Sequence, residues 1–292
     1  MTDQITQPST RTIDAPGATV TYDIRSGSTT EPVLMLIGSP MAASGFGTLA
    51  RHFADRTVVT YDPRGAERST KADPSTESTP QQHADDIHRV IAAVGAGPVD
   101  LFATSGGAIN ALALVARHPE DVRTLVAHEP PLAAIIPDRD AALAAVRDIA
   151  DTYQRDGMGA GMAKFIAIVM HKGPINDDYR RQPAPDPAMF GLPAGDDGSR
   201  DDVLLGQNIL SSAGYEPDID ALRSASTRIV IAVGADSEGQ FARRGGEALA
   251  AKLGLEPVVF PGGHNGFMGG EYGQTGEPDA FAAKLREVLS AS

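Results

Sequence analysis

Val33-Leu34-Met35-Leu36-Ile37 is an unbroken apolar run that leads directly into Gly38-Ser39-Pro40. A strand apolar at every position, rather than at every second one, has both faces covered, as in a parallel sheet packed between helices. The same beat then repeats. Strands are expected over 57–61, 99–104 and 122–127, and helices over 44–53, 79–94 and 106–118. Alternation of this kind, with short connections, implies right-handed crossovers and an α/β fold with a mostly parallel, doubly wound sheet. Two half-buried strands precede it near 11–13 and 18–25, the second alternating Val20, Tyr22 and Ile24.

The rhythm breaks at Glu129-Pro130-Pro131. Beyond it strand signals vanish, and helices are expected at 138–155, 159–171 and 201–212, with a polar, proline-rich stretch at 173–200 between the last two. Strands return at 227–233 and 257–260, with helices at 240–253 and 279–289. The expected organisation is therefore a discontinuous α/β core, 1–131 and 226–292, with a helical cap or lid, 132–225, inserted into it.

Composition excludes several chemistries. The 292 residues contain no cysteine, which removes disulfides, thiolate metal sites and cysteine nucleophiles. A formal charge of -13 disfavours nucleic acid and anionic membrane surfaces as partners. The polar first residues lack a secretory signal, and no apolar stretch approaches the ~20 residues that cross a bilayer, so a cytoplasmic protein is expected. The sequence carries no cofactor motif and no metal-ligand spacing, so neither a cofactor nor a metal is expected. Oligomeric state is not read from it.

The most informative segment is Leu101-Phe102-Ala103-Thr104-Ser105-Gly106-Gly107-Ala108, where an apolar strand meets a serine and then a helix. A nucleophile elbow needs small residues two positions either side of the serine, because the turn is tight; Ala103 and Gly107 supply them. A serine hydroxyl needs a general base, and His264 follows the last strand in Pro261-Gly262-Gly263-His264-Asn265-Gly266. A carboxylate must then hold the imidazole in one tautomer. Asp236, just after the strand at 227–233, is the first choice; Glu238 and Glu129, the latter ending the preceding strand, are the alternatives. Backbone N–H groups of Gly106 and Ser39 are the candidate oxyanion donors.

With these residues in place, the chain resembles the α/β-hydrolase fold superfamily from about Val20 to Leu289. Ser105, Asp236 and His264 stand in that family's order of nucleophile, acid and base, although some members carry the acid where Glu129 stands. Asp62-Pro63-Arg64-Gly65-Ala66-Glu67-Arg68-Ser69 is similar to the family's Asp-x-Arg-Gly-x-Gly-x-Ser segment, with Glu67 in place of the second glycine. The nearest likeness is to the bacterial esterase, metal-free haloperoxidase and epoxide-hydrolase-like group. That group's oxyanion loop reads His-Gly-x-Pro, whereas this chain has Ile37-Gly38-Ser39-Pro40. The resemblance implies a serine hydrolase that attacks an ester, lactone or related acyl compound and passes through an acyl-enzyme. A serine nucleophile disfavours the aspartyl-ester chemistry of epoxide hydrolases and dehalogenases. Perhydrolysis by the same groups, or a ligand-binding or sensory module with little turnover, are the alternatives. The expected partner is a small-molecule acyl substrate with an apolar group, hinted at by Met158, Met162, Phe165, Ile166, Ile168, Val169 and Met170 in the insert, though a stripe at helical spacing more often serves packing.

Overall fold

The computed structural model describes residues 7–291. Among them nine strands form one sheet: β1 (Ser9–Ala15), β2 (Ala18–Arg25), β3 (Leu34–Ile37), β4 (Val58–Tyr61), β5 (Thr70–Lys71), β6 (Val99–Thr104), β7 (Val122–His128), β8 (Arg228–Gly234) and β9 (Val258–Phe260). Their spatial order is β1-β2-β4-β3-β6-β7-β8-β9, with the short β5 paired to β2. β1, β2 and β5 pair antiparallel, as does β2 with β4, and every pair from β4 to β9 is parallel. The doubly wound arrangement expected from the apolar runs is therefore present, and β6, which ends at Thr104, lies in its centre.

Helices cover both faces, as fully apolar strands require. In chain order they are α1 (Gly47–His52), α2 (Pro80–Val94), α3 (Gly106–Arg117), α4 (Arg139–Asp156), α5 (Met158–Met170), α6 (Asp177–Arg180), α7 (Ile209–Ala213), α8 (Ile219–Ser224), α9 (Phe241–Leu253) and α10 (Pro278–Ser290). α2 shows how local sequence sets such boundaries. Thr79 accepts from the Gln82 N–H while the Gln82 side chain accepts from the Thr79 N–H, Pro80 fills the first helical position, and Gly95 stops the helix with φ 68°. One core packs Ile87, Val90, Ile109 and Leu112 of α2 and α3 beneath the sheet. The other packs Leu49 of α1 and Phe281 and Leu285 of α10 against Leu34, Phe102 and Val126. Each large side chain buried this way contributes about 1.5–3 kcal/mol.

Between β7 and β8 the chain is helical, and α4, α5 and α7 share a separate core around Ile149, Tyr153 and Ile168 that also takes in Phe241 of α9. Two expectations need correction. The helix expected at 44–53 is a 3-10 turn, Ala43–Phe46, followed by α1. The helix expected at 201–212 is confined to Ile209–Ala213, because side chains upstream bind the backbone that a helix would use: Asp202 Oδ1 accepts from the Leu205 N–H, and Asn208 Nδ2 donates to the Val203 carbonyl. Among the described residues no helix is long and apolar enough to cross a membrane.

Candidate active site

Ser105 stands between β6 and α3 at φ 57° and ψ -131°, a backbone conformation that costs a non-glycine residue about 1–3 kcal/mol. The surroundings hold it there. Its N–H donates to the His128 carbonyl at 3.0 Å, extending the β6–β7 pairing by one residue. The next two positions have no room for a side chain: a Cβ on Gly106 would stand 2.6 Å from the Ser39 carbonyl oxygen, and one on Gly107 would stand 2.7 Å from the Gly38 Cα. The same contacts press the Gly38-Ser39-Pro40 loop against the start of α3. Ser39 is buried, its N–H has no acceptor among the described residues, and as the first residue of α3 Gly106 has none in a preceding turn. Neither N–H group is thus taken up by a backbone acceptor.

The segment after β4 braces this loop. Asp62 is fully buried; its Oδ1 accepts from the Ala43 N–H at 3.0 Å and its Oδ2 from Arg68 Nε at 2.6 Å. Arg68 also bridges to Asp23, and Arg64 pairs with Asp86 through two bonds of 2.7 Å. Glu67, where the family-like pattern has glycine, keeps the positive φ of 41° that the glycine would adopt. Its carboxylate accepts from Ser44 Oγ and the Tyr272 hydroxyl.

His264 Nδ1 bonds Glu129 Oε2 at 2.6 Å. Glu129 follows β7 directly, at φ 47°, with its N–H bonded to the Ala232 carbonyl and its Oε1 accepting from the Gly234 N–H at 2.8 Å. Both carboxylate oxygens are therefore engaged, and the side chain is almost wholly buried. Burial alone would raise its pKa; the His264 hydrogen bond, the charges of His128 and His264 and the Gly234 N–H outweigh it and bring it to about 2. Glu129 is an anion at neutral pH, and a Nδ1–H donated to it leaves His264 Nε2 as an acceptor.

Asp236, the first choice for this position from sequence, makes no bond to His264. It lies in a 3-10 turn, Ala235–Ser237, exposed to solvent, and its N–H is tied to the Gly262 carbonyl. Glu238 is also exposed and has no contact with the ring. The physical reason lies in Gly234, where a Cβ would meet Gly262 and Gly263 backbone at 2.8–2.9 Å. Close packing there brings the end of β8 under the histidine loop as a backbone support, and the carboxylates beyond it turn outward. Glu129 then reaches the imidazole from the neighbouring strand.

His128, next to Glu129 at the end of β7, belongs to the same assembly. It is fully buried among Phe102, Phe260, Phe267 and Phe281, with its ring 6.0 Å from that of His264. Its Nδ1 bonds Thr104 Oγ1, and burial, which outweighs the pull of Glu129 and is helped by a smaller push from His264, lowers its pKa to about 4. His83 of α2 is likewise buried. The available signal was that β7 is apolar through Leu125, Val126 and Ala127, so that a residue continuing it had to be buried too.

In the insert, Ile168 is buried and Met158, Met162, Phe165 and Val169 pack against its core, while Met170 is exposed. Five of the seven residues of the stripe thus pack within the insert. A cavity of about 360 Å³ between α4, α5 and the segment after α6 is bordered instead by Asp148, Lys164, Tyr179 and Arg180, and by none of Ser105, Glu129 or His264.

This arrangement is built on a known scaffold: residues 31–270 match the family described as alpha/beta hydrolase fold, and the chain belongs to that family. Its relatives are hydrolases. The chain is similar to YraK, an uncharacterised hydrolase of Bacillus subtilis (strain 168), with 29% identity over 262 residues that make up 88% of this chain and 89% of that protein. Among solved structures, a thermophilic esterase from Thermogutta terrifontis has a TM-score of 0.67 at 21% identity, over 97% of this chain and 98% of that one. The enol-lactonase of Burkholderia xenovorans LB400 has a TM-score of 0.65 at 18% identity, over 96% and 100%. These two show the same fold.

Proposed function

We propose that this protein is a serine hydrolase of esters, lactones or related acyl compounds, with Ser105 as nucleophile, His264 as general base and Glu129 as the acid. Two observations carry the reading: the 2.6 Å bond between His264 and a buried, anionic Glu129, and a serine held at positive φ between strand and helix at the end of β6, two strands of one parallel sheet placing Ser105 and Glu129 at the same edge. In this mechanism His264 Nε2 takes the Ser105 proton as Oγ attacks the carbonyl carbon. The oxyanion accepts from the Ser39 and Gly106 N–H groups. Collapse of the tetrahedral intermediate breaks the bond to the leaving alcohol, which receives the proton from His264. Water, deprotonated by the same imidazole, then attacks the acyl-enzyme and restores Ser105. Glu129 stays ionised throughout and stabilises the imidazolium.

An esterase and an enol-lactonase of the same fold support an acyl substrate. The helical segment 132–225 leaves the sheet directly after Glu129, at the sheet edge where parallel β6 ends at Ser105, which supports its role as a lid over Ser105. The test is turnover of a chromogenic acyl ester, together with labelling by a fluorophosphonate. Ser105→Ala is expected to abolish labelling and to lower kcat/KM by about 10⁴ or more. A Ser105→Ala variant that retained the wild-type rate would remove the proposal.

A further inference from the structure

A second cluster of chemically capable side chains lies at the opposite end of α3. His88 of α2, His118 at the C-terminus of α3 and Asp121 just before β7 converge there, and one ligand atom from each lies within 4.8 Å of the other two. His88 Nδ1 bonds Asp121 Oδ2 at 2.6 Å, and the His88 and His118 rings are stacked, 4.0 Å between centroids and 15° from parallel. Behind His118, Glu120 Oε1 stands 3.3 Å from Nδ1. All three convergent residues are half-buried, so each has a solvent path and a partly fixed orientation.

We propose that His88, His118 and Asp121 form a binding site for one divalent transition-metal ion, best matched by zinc, with water completing its shell. Two imidazoles and a carboxylate are the donor set of zinc, copper(II) and nickel(II), whereas calcium and magnesium take oxygen ligands. Zinc holds such ligands at about 2.0–2.2 Å and in the plane of each imidazole, so the three donors must close by more than an ångström and the two stacked rings must turn out of parallel, a side-chain rotation open to half-exposed residues. Glu120 then serves as the outer carboxylate that orients a metal-bound imidazole. The neighbouring cations are already engaged, Arg89 with Asp85 and Arg123 with Asp100, and do not compete for Asp121. A chain of net charge -13 favours a cation further.

The site is structural. α3 has 12 residues, so its ends are about 18 Å apart, with Ser105 at one and His118 at the other. A metal there clamps α2, α3 and the turn into β7 without touching the proposed acyl chemistry, and its test is independent of that reading.

The experiment is calorimetric titration of the untagged, chelator-treated full chain with zinc chloride at pH 7.5. One ion per chain, bound with micromolar affinity, and a zinc-dependent rise in Tm are expected. His88→Ala or His118→Ala should weaken binding about 10-fold or more, the double substitution should abolish it, and Ser105→Ala should bind as wild type. Ester turnover of the double variant should stay within about twofold of wild type. A wild-type chain that shows no saturable binding below about 1 mM, or a double variant that binds unchanged, would overturn the site. Copper(II) bound to wild type gives a check that needs no substitution: nitrogen coupling from two imidazoles in its paramagnetic resonance spectrum supports the site, and oxygen-only coordination contradicts it.

Discussion

The ends of β7 and β8 are neighbours in the sheet, and each is followed within two residues by a carboxylate. At the end of β7, Glu129 is buried, ionised and bonded through both oxygens. At the end of β8, Asp236 is exposed on a 3-10 turn, and its carboxylate bonds neither His264 nor Ser105. What β8 contributes is backbone: the Gly234 N–H that fixes Glu129, and a side-chain-free surface on which the histidine loop rests. The contrast teaches that an acid next to the right strand becomes a partner for histidine only where the packing removes it from water. Burial is expensive for a carboxylate, and Glu129 offsets that cost with hydrogen bonds from His264 and the Gly234 N–H, side-chain partners that Asp236 lacks.

The largest test of this contrast is Glu129→Gln. It preserves shape but withdraws the anion that stabilises the imidazolium, and kcat on an acyl ester is expected to fall on the order of 10³–10⁴-fold. A loss under tenfold would mean that the end of β7 does not govern His264.

A second effect concerns stability, and it follows from what else is buried at the end of β7. His128 has a native pKa of about 4 against 6.5 for the free side chain, and His83 is similarly lowered to about 4 by burial. Between these values the unfolded chain binds more protons than the native one. Stability should therefore fall as pH drops from about 6.5 to about 4, on the order of 3 kcal/mol for each histidine. Glu129 adds a further loss as pH falls from about 4.5 towards 2, since its native pKa is the lower one. Urea unfolding at pH 7 and pH 4.5 checks the first window, and His128→Gln should remove about half of its slope. A variant with an unchanged slope would show that His128 is not held neutral.

The smallest effect is expected from Asp236→Asn: kcat/KM within about twofold of wild type and no measurable change in Tm, as befits an exposed side chain with no partner in the site. A hundredfold loss would reverse the comparison.

Much of this architecture was legible in the sequence because it rests on local rules. Continuous apolar runs identify the parallel strands, Ala103 and Gly107 mark the tight turn around Ser105, and the alternation of strands with helices places α2 and α3. The choice between Glu129 and Asp236 was not legible in the same way. Both follow buried strands, and both stand where members of this family carry the acid. What separates them is the packing of Gly234 against residues 262 and 263, a contact between segments almost 30 positions apart. His128 was obscured for a related reason, since its burial depends on four phenylalanines from β6, β9, the histidine loop and α10. The failed helix at 201–208 was a local competition, in which Asp202 and Asn208 satisfy the backbone that a helix would have used.

The central claim is that Glu129 holds the His264 Nδ1 proton. Proton NMR of the enzyme, with the Nδ1–H resonance of His264 assigned by nitrogen labelling, measures it directly. A strongly downfield resonance present in wild type and in Asp236→Asn, and lost in Glu129→Gln, is the predicted result. A resonance that survives Glu129→Gln and disappears in Asp236→Asn would contradict the account.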